Sequence, residues 1–243
     1  MLRLRVKAPF AAFRTFTAGT FRPTAPFLTP SAAYGLLLNI AGIESRYDDG
    51  KSVMTLMRSD LPVAEIAIGA IVFPERQSIF QQLHNYPVGS SGKDHAALCR
   101  GAKYNIQPVR REFLASLDAA VCLRGNDQLE AQVRAGIRDG TRTSVDGRPR
   151  YGVPFLGDNS FMIDTLREEP ADQTPAYWFR RLARDETAPG RCLTRLTAWI
   201  DRADMSRTVA HLYAPIEDPQ PQPPEEAWTL IQPPPARSRP AAG

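Results

Sequence analysis

Two of the three histidines of the chain, with a lysine and a tyrosine near them, fall in one stretch, residues 75–111. General acid–base chemistry needs one group with a near-neutral pKa that takes a proton and a second group that gives one. Lys93 with His95, or His84 with Tyr86, could supply such a pair. Their spacing does not by itself make them a pair, so Tyr86, Lys93 and His95 are catalytic candidates in only one of the two functions weighed below.

Metal, disulfide and phosphate-loop chemistry are not indicated. The three cysteines, Cys99, Cys122 and Cys192, are odd in number and lack the spacing of metal ligands. The segment Gly89–Lys93 (GSSGK) has too few residues between its glycines for a phosphate-binding loop. The sequence therefore predicts no metal and no cofactor, and its scattered cysteines fit a reducing, cytoplasmic location.

A loop rich in phenylalanine, threonine and arginine, residues 10–28, precedes the most apolar helix of the chain. The net charge is +4, and only four of the 30 lysine and arginine residues are lysine. The planar guanidinium group suits phosphates and stacks on bases, although a GC-rich genome produces the same bias. The charge pattern fits either simple solubility or an acidic partner, most often nucleic acid.

The first element is a strand with two chemically different faces. Residues 2–7 alternate strictly, with three aliphatic side chains on one face and three cations on the other. The aliphatic face predicts burial. The cationic face suits either solvent or a phosphate backbone, and these residues are Arg3, Arg5 and Lys7.

The helix that follows has clear start and stop signals. Thr29 is a suitable N-cap and Pro30 a suitable first residue, while Gly42 fits the C-terminal stop. Gly35 inside the helix predicts that another backbone comes close. The predicted buried stripe is Ala33, Leu36, Leu37 and Ile40.

Further along, Ala64–Phe73, Phe113–Leu123 and Ser160–Leu166 predict strands, and Asp127 with Glu130 forms the capping box of a second helix. The second of these strands is expected to bury every other residue from Phe113 on one face. The order is βαββαβ, so the fold class is α+β, a ferredoxin-like (RRM-like) domain over residues 1–214. Residues 75–111 form an insertion.

The C-terminal third is less regular. A short helix containing Trp178–Leu182 and a closing strand pair, Cys192–Ile200 with Thr208–Tyr213, are predicted. Residues 215–243 are rich in proline and poor in apolar residues, which predicts a disordered tail. No apolar run is long enough for a transmembrane helix, and the N-terminus lacks the pattern of a signal peptide.

These features define two broad classes of function. A basic pattern interleaved with aromatic residues, on a fold of this order, is typical of proteins that hold RNA by stacking and phosphate contacts. A plain α+β enzyme or a protein-interaction domain is the alternative.

Two segments carry a family pattern. Residues 8–44 combine an aromatic and arginine loop (Phe10, Phe13, Arg14) with a Pro-Ser-x-x-x-Gly-Leu-Leu helix that begins at Pro30, and the second segment is Tyr151–Phe161, YGVPFLGDNSF. Both resemble the CRISPR-associated subunit that holds the crRNA 5′ handle in type I Cascade complexes, a member of the RAMP superfamily. The similarity is to its Myxan-subtype, type I-B-like branch.

The resemblance implies a site. The loop would stand at the edge of the sheet, where Phe13, Phe16 or Phe21 could cover a base. Alternatively, Phe13 belongs to the core, where Phe10 is expected. Residues 75–111 would be a hairpin-like thumb that grips the handle and touches the neighbouring backbone subunit. The residues expected to contact RNA are Arg14, Thr15, Thr17, Arg22, Thr24, Arg100, Lys103, Tyr104, Arg110, Arg148 and Arg150.

The resemblance also implies two alternative activities. In the first, the chain is a non-catalytic scaffold that caps the crRNA, docks the backbone subunit and the large PAM-reading subunit, and meets target DNA only through the complex. In the second, it is a metal-independent endoribonuclease that processes precursor crRNA with Tyr86, Lys93 and His95. The Myxan-like signature favours the scaffold, because such systems carry a separate processing enzyme.

Overall fold

The computed structural model describes residues 1–15, 20–51, 55–84, 106–139, 154–158, 160–170, 174–183, 186 and 193–232. Neither of the two helices found there is long and apolar enough to cross a membrane. The elements are β1 (Leu2–Ala11), β2 (Phe21–Arg22), α1 (Pro30–Ile40), β3 (Arg46–Tyr47), β4 (Leu56–Met57), β5 (Ala64–Val72), β6 (Glu75–His84), β7 (Ile106–Arg124), α2 (Asp127–Asp139), β8 (Thr165–Glu168), β9 (Tyr177–Arg181), β10 (Thr194–Trp199), β11 (Val209–Pro215) and β12 (Thr229–Ile231).

Ten of these strands form one sheet. They run in the order β10, β11, β9, β5, β7, β1 and β8, while β12 pairs with β5, and both β2 and β6 pair with β7. Among the described residues, the pairing of β2 with β7 is parallel and the others are antiparallel. The fold is mixed α/β, mostly antiparallel sheet with two helices, which agrees with the α+β prediction.

Helix α1 begins and ends as its sequence predicts. The Thr29 hydroxyl accepts a hydrogen bond from the Ala32 amide at 3.2 Å, and Pro30 opens the helix. Gly42 follows the last turn with φ of 75°, a conformation that disfavours any side chain. The predicted stripe is buried against the sheet, and its members are Ala33, Leu36, Leu37 and Ile40.

Close backbone approach occurs at Gly136 of α2 and not at Gly35 of α1. A Cβ atom on Gly35 would meet no atom within 4 Å, so the prediction of close packing at Gly35 is wrong. A Cβ atom on Gly136 would lie 2.1 Å from the carbonyl oxygen of Ile40. The missing side chain at Gly136 therefore lets α2 lie against the end of α1.

Helix α2 is capped by Asn126, whereas the sequence predicted Asp127 with Glu130. The Asn126 side-chain oxygen accepts a hydrogen bond from the Leu129 amide at 2.9 Å. Glu130 is buried and pairs instead with the N-terminal amine of Met1 at 3.2 Å. Asparagine and aspartate suit a cap almost equally, so two adjacent candidates could not be separated by type.

The first strand is covered on both faces at its N-terminal end. Its aliphatic side chains are buried beneath the helices, as predicted. Arg3 on the opposite face is only 2% exposed, and its two terminal nitrogens donate hydrogen bonds to the carbonyl oxygens of Thr174 and Pro221. Arg3 thus faces neither solvent nor phosphate, because the C-terminal part of the chain packs over this face.

Strand β7 extends past both predicted ends and is irregular in the middle. Ser116 has φ of 59°, which interrupts the pleat. Leu114 is buried before this point and Leu117 after it, while Phe113 is only half-buried. The predicted alternation from Phe113 is therefore wrong in its first part, because the irregularity at Ser116 shifts which residues face the core.

Two predictions for the C-terminal third differ from the structure and one is confirmed. The expected helix containing Trp178–Leu182 is strand β9, which pairs with β5 and β11. The adjacent rings of Trp178 and Phe179 fill opposite faces of the sheet, which only a strand permits. Strand β8 begins at Thr165 rather than Ser160. The closing pair is confirmed as β10 with β11.

The segment 215–232, predicted to be disordered, is instead packed on the sheet; residues 233–243 lie outside the described residues. Strand β12 pairs with β5, and Ile231 is 1% exposed. The Trp178 indole donates to the carbonyl oxygen of Gln220 at 2.9 Å. The Arg124 guanidinium lies 4.3 Å from the ring centroid of Trp228 and pairs with Glu225. Proline-rich composition misled the prediction, since extended chain can hydrogen-bond through its carbonyls.

Candidate functional site

A cleft of about 260 Å³ opens where three segments meet: the loop after β1, the N-terminal half of β7, and residues 154–158. Three arginines and two acidic residues line it, so its walls are charged and mainly polar. We call it the cationic cleft, and its lining residues are Ala12, Arg14, Arg22, Pro23, Arg111, Glu112, Gly157 and Asp158.

The loop after β1 is closed at its base by buried contacts. The Phe13 amide donates to the Thr24 hydroxyl at 2.8 Å, and the Ala25 amide donates to the Phe13 carbonyl at 2.7 Å. Arg14 lies opposite Thr24 in an isolated β-bridge. Strand β2 then runs beside β7, with Arg22 in register with Arg111. These contacts bring Arg14 and Arg22 to one wall of the cleft.

Thr24 holds this loop together and does not face the cleft. It is 3% exposed, and its hydroxyl also donates to the Ala25 carbonyl at 3.1 Å. Its amide donates to the Glu112 carboxylate at 3.2 Å. The structure therefore lends no support to the predicted contact of Thr24 with RNA, because its hydroxyl is buried and bonded within the loop.

Arg14 and Arg22 are the cations of the cleft that are left for a ligand. No carboxylate of the described residues lies within ion-pair distance of either guanidinium. Arg14 is exposed, and the Nε atom of Arg22 is buried without a hydrogen-bond partner. A buried donor with no partner costs free energy, so an incoming acceptor would be stabilised there.

Arg111 is shared between the protein and the cleft. Its guanidinium forms an ion pair with Asp158 at 2.6 Å and donates to the Gln81 side chain at 3.4 Å. Partial burial acts to raise the pKa of Asp158, but hydrogen bonds from Ser160 and Arg111 outweigh burial and leave that pKa below its ordinary value. Asp158 thus stays ionised and orients Arg111.

Gly157 sets the position of this acidic residue. It has φ of 78°, and a Cβ atom there would lie 1.6 Å from the Ala12 carbonyl oxygen. The Ala12 amide donates to the Leu156 carbonyl at 3.1 Å. Only glycine permits this direct backbone contact, which brings Asp158 beside Arg111.

Arg110, the predicted neighbour, lies outside the cleft. Its guanidinium is 5.8 Å from the Phe21 ring centroid and donates to the Ser78 hydroxyl at 3.5 Å. Adjacent residues of a strand point to opposite faces, so only one of Arg110 and Arg111 could line the cleft. The sequence shows that Arg110 and Arg111 face opposite ways, but it does not show which of them faces the cleft. Glu112 and Asp158 were missed because acidic residues are unexpected in a phosphate site.

The structure contradicts the expectation for Phe10 and selects one of the two alternatives for Phe13. Phe10, expected in the core, is 46% exposed, whereas Phe13, which could cover a base or belong to the core, is 3% exposed and lies in the core. Phe21 is half-buried beside Arg110, and Phe16 lies outside the described residues. The irregular end of β1 accounts for the exposure of Phe10, since Ala8 and Ala11 both point inward there.

The structure brings four predicted residues close to this region: Arg14, Arg22, Arg110 and the exposed Thr15. The described residues contain no group of three or more potential metal ligands. Thr24 lies close to this region as well but is buried. The remaining candidates lie outside the described residues, and they are Thr17, Tyr86, Lys93, His95, Arg100, Lys103, Tyr104, Arg148 and Arg150.

Comparison with known proteins gives a family and a fold. A family model described as "CRISPR-associated protein (Cas_Cas5)" matches residues 1–180. A solved chain described as "CRISPR RNA-guided surveillance complex" is similar in fold, with a TM-score of 0.51 and 16% identity over 90% of this chain and 89% of that chain. A second, described as "Crystal structure of Cas protein", has a TM-score of 0.44 and 18% identity over 91% and 97% of the two chains. None of the curated proteins compared with the chain matches it.

Proposed function

Since the chain belongs to the Cas5 family of CRISPR-associated proteins, we propose that it is a non-catalytic crRNA-binding subunit of a type I Cascade effector complex. It caps the 5′ handle of the crRNA and fixes the end of the assembly. Base pairing by the guide, and not this chain, then supplies target specificity.

One observation carries the proposal: Arg14 and Arg22 line a cleft and have no acidic partner among the described residues. Arginine binds phosphate through a planar fork of donors, and such charge-assisted hydrogen bonds are about twice as strong as neutral ones. The two residues are in a loop of the matched family region. A ribose–phosphate backbone is the ligand that this arrangement suits best.

The hairpin beside the cleft supports a gripping role. Strand β6 pairs with the first half of β7, with residues 75–84 in register with 106–115. Most of the described side chains of β6 are exposed, and Phe80 is 83% exposed. We assign the hairpin as the thumb that holds the handle and meets the backbone subunit, while another face of the chain docks the large PAM-reading subunit.

The finer family assignment rests on fewer observations. Strands β5, β7, β1 and β8 lie side by side in that order. Helix α1 follows β1 and α2 follows β7, which supports a ferredoxin-like RAMP core. The N-terminal signature supports the Myxan-subtype, type I-B-like branch. A Cascade subunit of this kind acts in the cytoplasm, where it meets target DNA only through the complex.

Binding of the chain's own repeat-derived RNA tests the proposal. Arg14→Ala and Arg22→Ala should each weaken binding by about 1.5 to 3 kcal/mol, roughly 10- to 150-fold, because each loses a bidentate phosphate contact. Arg58→Ala is the matched control, since Arg58 is exposed and pairs with Asp60 at 2.6 Å outside the cleft. Equal affinity of all three variants and the wild type would contradict the proposed role of the cleft.

A second experiment separates the scaffold from the endoribonuclease. The purified chain is incubated with precursor crRNA in EDTA, and a scaffold leaves the RNA intact. Specific cleavage that is lost in Lys93→Ala and His95→Ala would instead establish a metal-independent nuclease. Binding without cleavage is the outcome that the proposal expects.

A further inference from the structure

Three phenylalanine rings form a cluster on the surface beside the cationic cleft. The ring centroids of Phe10 and Phe113 are 5.4 Å apart in an edge-to-face arrangement. Phe161 lies 6.2 Å from Phe10 and 6.1 Å from Phe113. We call this cluster the aromatic platform. It joins β1, β7 and a loop distant in sequence, so the fold and not the local sequence assembles it.

The platform is open to solvent mainly at Phe10, which is 46% exposed, whereas Phe113 and Phe161 are half-buried. Met162, which follows Phe161 in the chain, and Phe155, which forms a β-bridge with Met162, are 47% and 50% exposed. Single exposed apolar residues are ordinary, but a contiguous group of them marks an interaction site. The exposed ring of Phe10 is therefore open to a partner, and the charges beside it bear on which kind would fit.

Arg111 connects the platform to the cleft. Its guanidinium lies 4.8 Å from the Phe161 ring centroid while the same residue lines the cleft. A nucleotide carries both chemistries that this surface offers, an anionic phosphate and a flat π-face. Stacking of a base on an aromatic ring contributes about 1 to 3 kcal/mol by alanine substitution and tolerates any base.

We propose that the aromatic platform of Phe10, Phe113 and Phe161 is a base-stacking subsite for one unpaired nucleotide of single-stranded RNA, whose phosphate lies in the cationic cleft. This inference rests on the proposed function and goes beyond it by assigning residues to a base. A protein partner fits less well, because the platform is small and directly adjoins the cations of the cleft.

The test measures binding of repeat-derived RNA to the full-length chain carrying Phe10→Leu, which removes the ring but keeps an apolar side chain. Affinity should fall about 5- to 100-fold, while the dependence on salt stays unchanged because stacking releases no counterions. Phe10→Tyr, which keeps the ring, should bind like the wild type. Phe73→Leu is the matched control, since Phe73 is 40% exposed and packs against Tyr177 and Phe179 outside the cleft.

A set of RNAs, each with one abasic nucleotide, identifies the stacked base. One abasic position should weaken wild-type binding by the same factor as Phe10→Leu, and that RNA should bind the variant with little further loss. Photocrosslinking of wild-type protein to 5-iodouridine RNA gives an independent readout that needs no variant, and the expected crosslinked peptides contain Phe10 or Phe161.

The outcomes separate this inference from the proposed function. If Phe10→Leu binds like the wild type and crosslinks fall elsewhere, the platform is not a base site, while RNA binding by the cleft still stands. If Phe10→Leu loses only its association with other Cascade subunits, the platform is a protein interface and the inference is overturned. If the wild type binds no RNA, both the inference and the proposed function are wrong.

Discussion

The two ends of strand β7 lie in regions that use arginine in opposite ways. Near its C-terminal end the cations are paired inside the protein, where Arg124 contacts Glu65 and Glu225. Arg5 similarly pairs with Asp118 at 2.8 Å, and that hydrogen bond raises the pKa of Arg5. Near the N-terminal end of β7, Arg14 and Arg22 line an open cleft and have no carboxylate partner among the described residues.

The difference shows that the placement of acidic residues and carbonyls, more than the number of arginines, separates a structural cation from a binding one. Arg3 and Arg5 alternate on a strand in the same way that a phosphate-binding face would. Their partners come from chain segments more than 100 residues away. Substitutions of Arg3 or Arg5 should therefore change the stability of the protein, whereas substitutions in the cleft should change RNA binding.

The largest expected effect follows from deleting the C-terminal segment that packs over Arg3. A chain that ends at residue 214 loses the buried Ile231. It also loses the carbonyl that accepts from the Trp178 indole and the hydroxyl that bonds to the Tyr213 hydroxyl. Its free energy of unfolding should fall by about 4 kcal/mol or more, which lowers Tm by roughly 8 °C or more. Thermal unfolding followed by circular dichroism measures this.

The control for this truncation is a chain that ends at residue 232, which retains every described contact of the segment. It should unfold close to the full-length temperature. If ending the chain at 214 also left Tm unchanged, this would contradict the packing of residues 215–232 on the sheet. It would also contradict the structural role assigned to Arg3.

The next effect compares one arginine from each region. Arg3→Met removes the donors to the Thr174 and Pro221 carbonyls in a buried site, and we expect a loss of about 3 kcal/mol of stability. Arg14→Met changes an exposed side chain and should cost under about 0.5 kcal/mol. Denaturant unfolding of the two variants measures both values, and similar losses would remove the distinction between the regions.

A smaller effect concerns Asp158, one of the two acidic residues that line the cleft. Its pKa is lowered in the folded protein, so its contribution to stability is complete above the pKa of the unfolded chain, near 4, and is lost as pH falls through the lower folded value. Asp158→Asn should therefore reduce stability at pH 7 by under about 1 kcal/mol and show no difference at the acid end.

The same variant should bind RNA about threefold more tightly at pH 7, since it removes a negative charge next to the proposed phosphate site. Unfolding across the pH range and RNA titration at pH 7 give the two readings. Weaker RNA binding by Asp158→Asn would mean that its orientation of Arg111 matters more than its charge.

Some of this architecture is predictable from local sequence. The cap of α1 at Thr29, the stop at Gly42 and the buried side of β1 depend on residues within one turn or one strand. The loop at Arg14 and Arg22 was also identified as a cationic site, because its composition exceeds what a connection needs. Each of these features is encoded by neighbours in the sequence.

The rest depends on partners far apart in the sequence. Segment 215–232 is held on the sheet because its carbonyl groups accept hydrogen bonds from Arg3 and Trp178. Amino-acid composition does not reveal such contacts. Phe10 and Phe161 meet close to the point where Gly157 lets two backbones touch. The irregularity at Ser116 decides which residues of β7 face the core, and a strict alternation rule cannot place it.

The dependence of RNA affinity on salt tests the central claim most directly, because phosphate contacts release counterions in proportion to their number. The logarithm of the binding constant for repeat-derived RNA is measured against the logarithm of salt concentration for the wild type, an Arg14→Gln/Arg22→Gln double variant and Arg58→Gln. The account predicts that the double variant has a slope shallower by about 1.4, the value for two phosphate contacts on a single strand. The Arg58→Gln slope should match the wild type. Parallel slopes for all three proteins would contradict a phosphate-binding cleft.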